Sequence, residues 1–207
     1  MIEMKNATWI KNDHTEVRRF SFVADNGKLT AICGRTGSGK TALVESVMGL
    51  RPLVEGYVSV DGELLTPATA CFFRTHMSYV PQTLHTPGRL TARQLLGLYG
   101  HCVGHPSSAL SQEGVQPMWE ELGLDRQVWA EPLYHQPVDV VKRVLLAFAL
   151  SAGRPMLVAD EPTEWLSDDD ARRVTTLLRR QADAGHVVLV ATSHPELVGV
   201  AHHMVSV

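Results

Sequence analysis

The sequence predicts an α/β fold: a mostly parallel sheet flanked by helices, an antiparallel β subdomain toward the N-terminus, and an inserted helical lobe. Three observations lead there. Buried-looking strands alternate with helical patterns after residue 41, as parallel strands joined by crossovers do. Residues 2–33 read instead as consecutive short strands separated by turns. Between 84 and 136, Pro, Gly and Ser punctuate short helical pieces. The chain is therefore expected to be a single domain over residues 1–207, with a core from 1–83 and 137–207 and an insert at 84–136.

In chain order, residues 2–9, 20–23 and 28–33 are expected strands, with Asn26-Gly27 as a hairpin turn between the last two. A helix from 41 to about 50 ends at Arg51-Pro52. Glu55-Gly56 leads into a strand at 57–60, and Asp61-Gly62 turns the chain. Residues 77–80 form a strand stopped by Pro81. Helical pieces fall at 91–99 and 115–122, and a strongly apolar helix spans 140–150. A buried strand at 156–160 follows. Ser167 caps a helix running to about 183, with Ala171, Val174, Leu177 and Leu178 on one face and arginines on the other. Gly185 ends it, and further strands are expected at 186–192 and 204–207.

The ligand class comes from one loop. Residues 34–41 read Gly34-Arg35-Thr36-Gly37-Ser38-Gly39-Lys40-Thr41, a complete G-x-x-x-x-G-K-[ST] phosphate loop between a strand and a helix. The glycines admit left-handed angles and close approach to an anion. The loop N–H groups make a concave nest, and the helix adds the positive end of its dipole. Lys40 supplies a charge for the β- and γ-phosphates, and Thr41 a hydroxyl for Mg²⁺. The core is thus of the P-loop NTPase kind, and the expected ligands are ATP and Mg²⁺.

Composition narrows the classes. The 207 residues are 44% hydrophobic with a formal charge of −3. That allows a sizeable core and gives no basic footprint for nucleic acid. No stretch approaches the roughly 18 apolar residues of a membrane span. Glu3 and Lys5 interrupt any leader-like core at the N-terminus, so a soluble, cytosolic chain is expected. Cys33, Cys71 and Cys102 lack ligand spacing and read as reduced thiols.

A phosphate loop needs an acidic partner on a neighbouring strand. Met156-Leu157-Val158-Ala159-Asp160-Glu161 provides it: Asp160 at the strand end for the Mg²⁺ shell, and Glu161 placed to polarise an attacking water. Gln82 and His194 also fall at strand ends, on the same edge of the sheet.

These residues together resemble an ABC-type ATPase, the nucleotide-binding subunit of an ATP-binding-cassette transporter, over nearly the whole chain. Walker A is the loop at 34–41, the Q-loop is Tyr79-Val80-Pro81-Gln82, Walker B ends in Asp160-Glu161-Pro162-Thr163, and the H-loop is Thr192-Ser193-His194. The resemblance implies that Gln82 senses the γ-phosphate through metal or water, that Glu161 is the general base, and that His194 contacts the γ-phosphate. It implies Thr41, Gln82 and Asp160 around the metal. It also asks for an aromatic residue under the adenine near the N-terminus. Trp9 is the nearest candidate, with Lys11 in the usual slot and plain packing as the alternative.

Two segments depart from the family pattern. In the family, a helix comes directly after a Leu-Ser-Gly-Gly-Gln signature, and Lys142-Arg143-Val144-Leu145-Leu146-Ala147-Phe148-Ala149-Leu150 resembles that helix. The signature slot itself reads Gln136-Pro137-Val138-Asp139-Val140, without a match. Glu164-Trp165-Leu166-Ser167 stands where Ser-Ala-Leu-Asp is usual. The expectation is an ATP-hydrolysing subunit that drives a separate integral membrane permease, peripheral at the inner face of the cell membrane. It is expected to pair with a second ABC subunit carrying a consensus signature. The alternatives are a slow homodimeric ATPase, or a soluble ABC protein serving assembly or regulation. A small-metabolite kinase leaves Gln82 and His194 unexplained, and chromosome-repair ABC ATPases need long coiled coils that this sequence lacks.

Other features weigh less. His101-Cys102-Val103-Gly104-His105 has metal-capable residues but no carboxylate nearby. Trp165 reads either as an interface anchor or as an ordinary partly buried residue. Asp168, Asp169 and Asp170 complement a helix dipole. Arg172, Arg173, Arg179 and Arg180 read as a solvated face.

Overall fold

The computed structural model describes residues 1–12, 15–83, 89–103 and 110–207, with backbone alone at 10–12, 15–18 and 101–103. Among the described residues, nine strands form two sheets. The first is antiparallel, in the order β2-β1-β4-β5: β1 (Ile2–Asn12), β2 (Thr15–Ala24), β4 (Glu55–Val60) and β5 (Glu63–Leu64). The second is wholly parallel, in the order β6-β7-β8-β3-β9: β3 (Lys28–Cys33), β6 (Met77–Val80), β7 (Met156–Asp160), β8 (Val187–Thr192) and β9 (His203–Ser206).

The parallel strands are apolar runs because both faces are covered. Successive side chains alternate between faces. Val187, Leu189 and Ala191 of β8 join Met156 and Val158 of β7 in a core shared with the antiparallel sheet. Val188 and Val190 join Leu157 and Ala159 in a second core on the other face. Helix α1 (Lys40–Val47) supplies Leu43, Val44 and Val47 to the first core and touches both β1 and β7. It is shorter than the sequence suggests. Leu50 N–H donates to Glu45 O at 2.8 Å and Gly49 N–H to Ser46 O at 3.0 Å, so the chain turns off before Arg51-Pro52.

The second core holds α5 (Val138–Ser151) and α6 (Asp168–Asp183). It continues into the segment before α5, which carries α3 (Ala92–Val103), α4 (Gln112–Glu121) and 3₁₀ turns at Arg126–Trp129 and Leu133–His135. Trp119 and Trp129 stack there at 3.9 Å between ring centroids, each with Phe148 of α5 beside it. Two further α-helices are short: α2 (Ala70–Arg74) and α7 (Pro195–Gly199).

Two further sequence expectations are corrected. Asn26-Gly27 does not make a hairpin: β2 pairs with β1 in one sheet, whereas β3 pairs with β8 and β9 in the other. The turn carries the chain between sheets, and Gly27 N–H donates to the carbonyls of Gly185 and His186, not to a strand partner. Trp9 cannot stack under a base. It is 0% exposed, packed edge-on to Phe20 at 5.6 Å in the core beneath the antiparallel sheet. The His101–Cys102 pair is described only as helical backbone, and Gly104 and His105 lie outside the described residues.

Candidate active site

Parallel strands end on one edge of their sheet, and the sheet order puts β6, β7, β8 and β3 side by side. The residues at and beyond those ends therefore meet. After β3 comes the loop 34–41, after β6 Gln82, at the end of β7 Asp160 and Glu161, and after β8 Ser193 and His194. All of these but the buried Asp160 contribute to a cavity of about 610 Å³ lined by Lys40, Thr41, Gln82, Glu161, Trp165 and His194 among others.

The loop's glycines act in two ways. Gly39 caps α1 with φ 107, a left-handed angle that costs other residues energy. Gly34 has no positive φ, against the sequence reading. It is required by crowding, since a Cβ there would lie 2.5 Å from Ser38 Oγ and 2.7 Å from Val207 O. The N-terminus of α1 has no side-chain cap and no acidic residue in its first turn, so its N–H groups and dipole remain available to an anion. Lys40 folds back onto the loop, donating to Gly34 O at 3.0 Å and Arg35 O at 3.4 Å. Its Nζ also lies 3.2 Å from Glu161 Oε1.

Glu161 is held tightly. Its backbone takes φ 43, strained for a glutamate. Its N–H donates to Ala191 O at 2.8 Å, and its carboxylate accepts from the Ser193 N–H at 3.0 Å and hydroxyl at 3.1 Å. Ser193 stood in the H-loop motif, but nothing in the sequence pointed to this role. His194 has its own N–H bonded to Thr192 Oγ1 at 3.0 Å, while its buried ring Nδ1 has no partner.

Asp160 lies beneath the cavity, 0% exposed, and neither carboxylate oxygen has a hydrogen-bond partner. Burial pushes its carboxyl up to about 6, while the nearby Thr41 hydroxyl pulls the other way. An orphaned buried carboxylate calls for a cation or its hydration shell. Thr41 Oγ1 donates to Gln82 Oε1 at 3.3 Å, so a hydroxyl, an amide oxygen and a carboxylate stand together. That all-oxygen donor set suits Mg²⁺. Gln82 Nε2 donates in turn to Glu164 Oε2 at 3.0 Å. Lys142, from α5, donates to the carbonyls of Pro81 and Gln82. Burial lowers its pKa, against the opposing pull of Glu164, Asp160 and Glu161. A lysine amid the apolar residues of the 140–150 helix was the one sequence signal for it.

The departing segments also have defined places. Asp139, in the first turn of α5, pairs with Arg143 at 2.9 Å, and Val138 beside it is exposed. Trp165 is 63% exposed on the cavity rim with φ 73, not partly buried. Arg172 and Arg179 pair with Asp169 and Asp183 along α6, and Arg180 pairs with Glu121 of α4.

A parallel sheet whose glycine-rich loop opens a helix beside an acidic strand end is the architecture of phosphate-loop nucleoside triphosphatases. Within that class the family model described as ABC transporter matches residues 17–164, and the chain belongs to this family. It is 32% identical over 200 residues to an ABC transporter ATP-binding/permease protein of Mycobacterium tuberculosis, covering 92% of this chain and 22% of that protein. It is 28% identical over 189 residues to a macrolide export ATP-binding/permease protein of Photorhabdus laumondii, covering 87% of this chain and 28% of that protein. The chain thus spans less than a third of the length of either relative. In fold it matches the dimeric structure of a bacterial ABC transporter cassette with TM-score 0.88 at 21% identity, over 100% of this chain and 94% of that one. Among the described residues no helix is long and apolar enough to cross a membrane.

Proposed function

We propose that this chain is the ATP-binding and hydrolysing subunit of an ABC transporter, working on a separate membrane permease at the inner face of the cell membrane. The observation that carries the reading is the convergence of Lys40, Thr41, Gln82, Glu161 and His194 on one cavity, with Asp160 directly beneath. The loop amides and the α1 dipole bind the phosphates, and Lys40 exchanges its loop carbonyls for β- and γ-phosphate oxygens. Thr41, Gln82 and Asp160 would hold Mg²⁺, and the ion would supply positive charge to offset that of the triphosphate. Glu161, oriented by Ser193, accepts a proton from the attacking water. His194, whose side chain lines the cavity, steadies the γ-phosphate as charge develops.

The chain forms half of an asymmetric pair. In the signature slot, Pro137 precedes α5 as its cap residue, with no side-chain cap and no N–H to offer. Asp139 puts a carboxylate, held by Arg143, in the first turn, and no glycine there lets the backbone approach an anion closely, so this segment is unsuited to completing a site on a second copy. The working site combines the loop at 34–41 with a consensus signature from a different ABC subunit.

The test is ATPase activity of the purified chain with and without the second ABC subunit and the permease. Little turnover is expected from the chain alone, and full turnover in the complex. In that complex Lys40→Ala abolishes turnover while Asp139→Asn leaves it within about twofold. Strong cooperative hydrolysis by the chain alone would overturn the pairing, and failure to co-purify with a membrane protein would overturn the transport role.

A further inference from the structure

Lys142 is 0% exposed, in the middle of a helix whose neighbouring Val141, Val144 and Leu146 are also buried. A charge survives in such a place only when it is hydrogen-bonded and compensated. The hydrogen bonds are present: its ammonium donates to Pro81 O and Gln82 O, each at 3.1 Å. Glu164, Asp160 and Glu161 also favour its charge, although burial outweighs them and lowers its pKa. An apolar side chain would fill the slot at less cost, so the lysine does something a hydrophobe does not.

What it holds is the main chain from which the Gln82 side chain projects. Gln82 is gripped at both ends of its amide: Oε1 accepts from Thr41 Oγ1, and Nε2 donates to Glu164 Oε2. These bonds form only if the main chain at 81–82 stays in register with α1 and with the segment after β7. Pro81 lacks an N–H, and the two carbonyls that could wander are the two that Lys142 binds.

We infer that Lys142 is a positioning residue for the phosphoryl-transfer site: its ammonium fixes the carbonyls of Pro81 and Gln82, and so places the Gln82 amide between Thr41 and Glu164. Lys142 stands three residues after Asp139 on the same helix. A rotation of α5, whose first turn carries the altered signature slot, therefore moves Gln82 at the metal position. This inference rests on the ATP reading above and adds a residue that acts through Gln82 without touching nucleotide.

The experiment is a titration of the full chain with a fluorescent ATP analogue, in Mg²⁺ and in EDTA. The proteins compared are wild type, Lys142→Met, Lys142→Gln, Gln82→Ala and the double variants. Wild type is expected to bind more tightly in Mg²⁺. Lys142→Met should lower that Mg²⁺ enhancement about tenfold or more, the usual loss when the support of a metal ligand is removed. Lys142→Gln, which keeps two donors, should recover part of it. In the Gln82→Ala background neither substitution should add more than about twofold, because the route through Gln82 is already gone. An enhancement in Lys142→Met equal to wild type, or losses that add in the double variants, would overturn the inference alone. Should Lys142→Met not fold, Lys142→Gln decides by the same comparison: a smaller loss confined to the Gln82 background supports it, and no loss overturns it. Failure of the wild-type chain to bind ATP in either buffer would overturn the ATP reading itself.

Discussion

Lys40 and Glu161 hold each other across the cavity, Nζ to Oε1 at 3.2 Å, with side chains only 7% and 11% exposed. In the proposed function this is a cation for phosphate paired with a carboxylate for a proton, and the two neutralise one another. On that reading an arriving triphosphate separates them, giving Lys40 phosphate oxygens and Glu161 a water as new partners.

The pair makes the two functions separable. Glu161→Gln should lower turnover of the assembled complex by about 10²–10⁴-fold, the usual contribution of a general base. Nucleotide affinity should hold or rise, because Lys40 no longer has to leave a carboxylate. Steady-state ATPase and equilibrium binding on the same preparation check both halves. A variant that hydrolyses normally, or that loses affinity more than about tenfold, would contradict the roles given to the two residues.

Asp160 pairs a functional charge with a stability cost. Its carboxylate is wholly buried with neither oxygen bonded. Burial outweighs the favourable pull of Thr41, Lys142 and Lys40 on that charge, so Asp160→Asn, which removes it without changing shape, should raise the melting temperature of the nucleotide-free chain by about 2–6 °C. The same substitution should erase the tightening of ATP binding by Mg²⁺. Calorimetry without nucleotide and titration with and without Mg²⁺ read the two effects. A fall in melting temperature would mean that Lys40, Lys142 and Thr41 more than offset the burial of that charge in the nucleotide-free chain.

His202 gives a pH dependence away from the cavity. Its Nδ1 accepts the Leu29 N–H at 2.9 Å, which only the unprotonated nitrogen can do. Its pKa lies below the ordinary value through desolvation first, then through Arg179, Lys28 and His203, with Asp183 opposing. A depressed pKa means that its contribution is fully present above about 6.5 and is lost as pH falls through the lower folded value. The melting temperature should therefore drop between pH 7.5 and 5.5 more steeply in wild type than in His202→Gln. Parallel curves for the two proteins would show that the imidazole is not the group responsible.

Much of this was legible in the sequence where the signal was local. The run 156–160 is a strand buried on both faces, and Ser167 caps α6 with its hydroxyl on the Asp170 N–H at 3.2 Å. The loop at 34–41 carries its own chemistry in its spacing. Legibility failed where partners lie far along the chain. Asn26-Gly27 has turn chemistry, but nothing local says that β2 and β3 join different sheets. Trp9 reads as either a stacking platform or plain packing, and only the core it shares with α1 decides for packing. Lys142 needs carbonyls about sixty residues away to explain a charge inside an apolar helix.

Trp165 supplies a reporter for the proposed pairing. Of the four tryptophans, Trp9, Trp119 and Trp129 are at most 2% exposed, whereas Trp165 is 63% exposed on the cavity rim. A bulky aromatic held at φ 73 in solvent gains little from the fold of its own chain. Large aromatic side chains contribute most when a partner buries them. Acrylamide should therefore quench one emission component in the free chain, and Trp165→Phe should remove that component. Adding ATP together with the second ABC subunit should protect it, whereas ATP alone should not. Trp165→Ala should weaken ATP-driven association about tenfold or more, as loss of an aromatic anchor does, while leaving ATP binding by the isolated chain within about twofold. Protection by ATP alone would place Trp165 against the nucleotide of its own chain instead of against a partner.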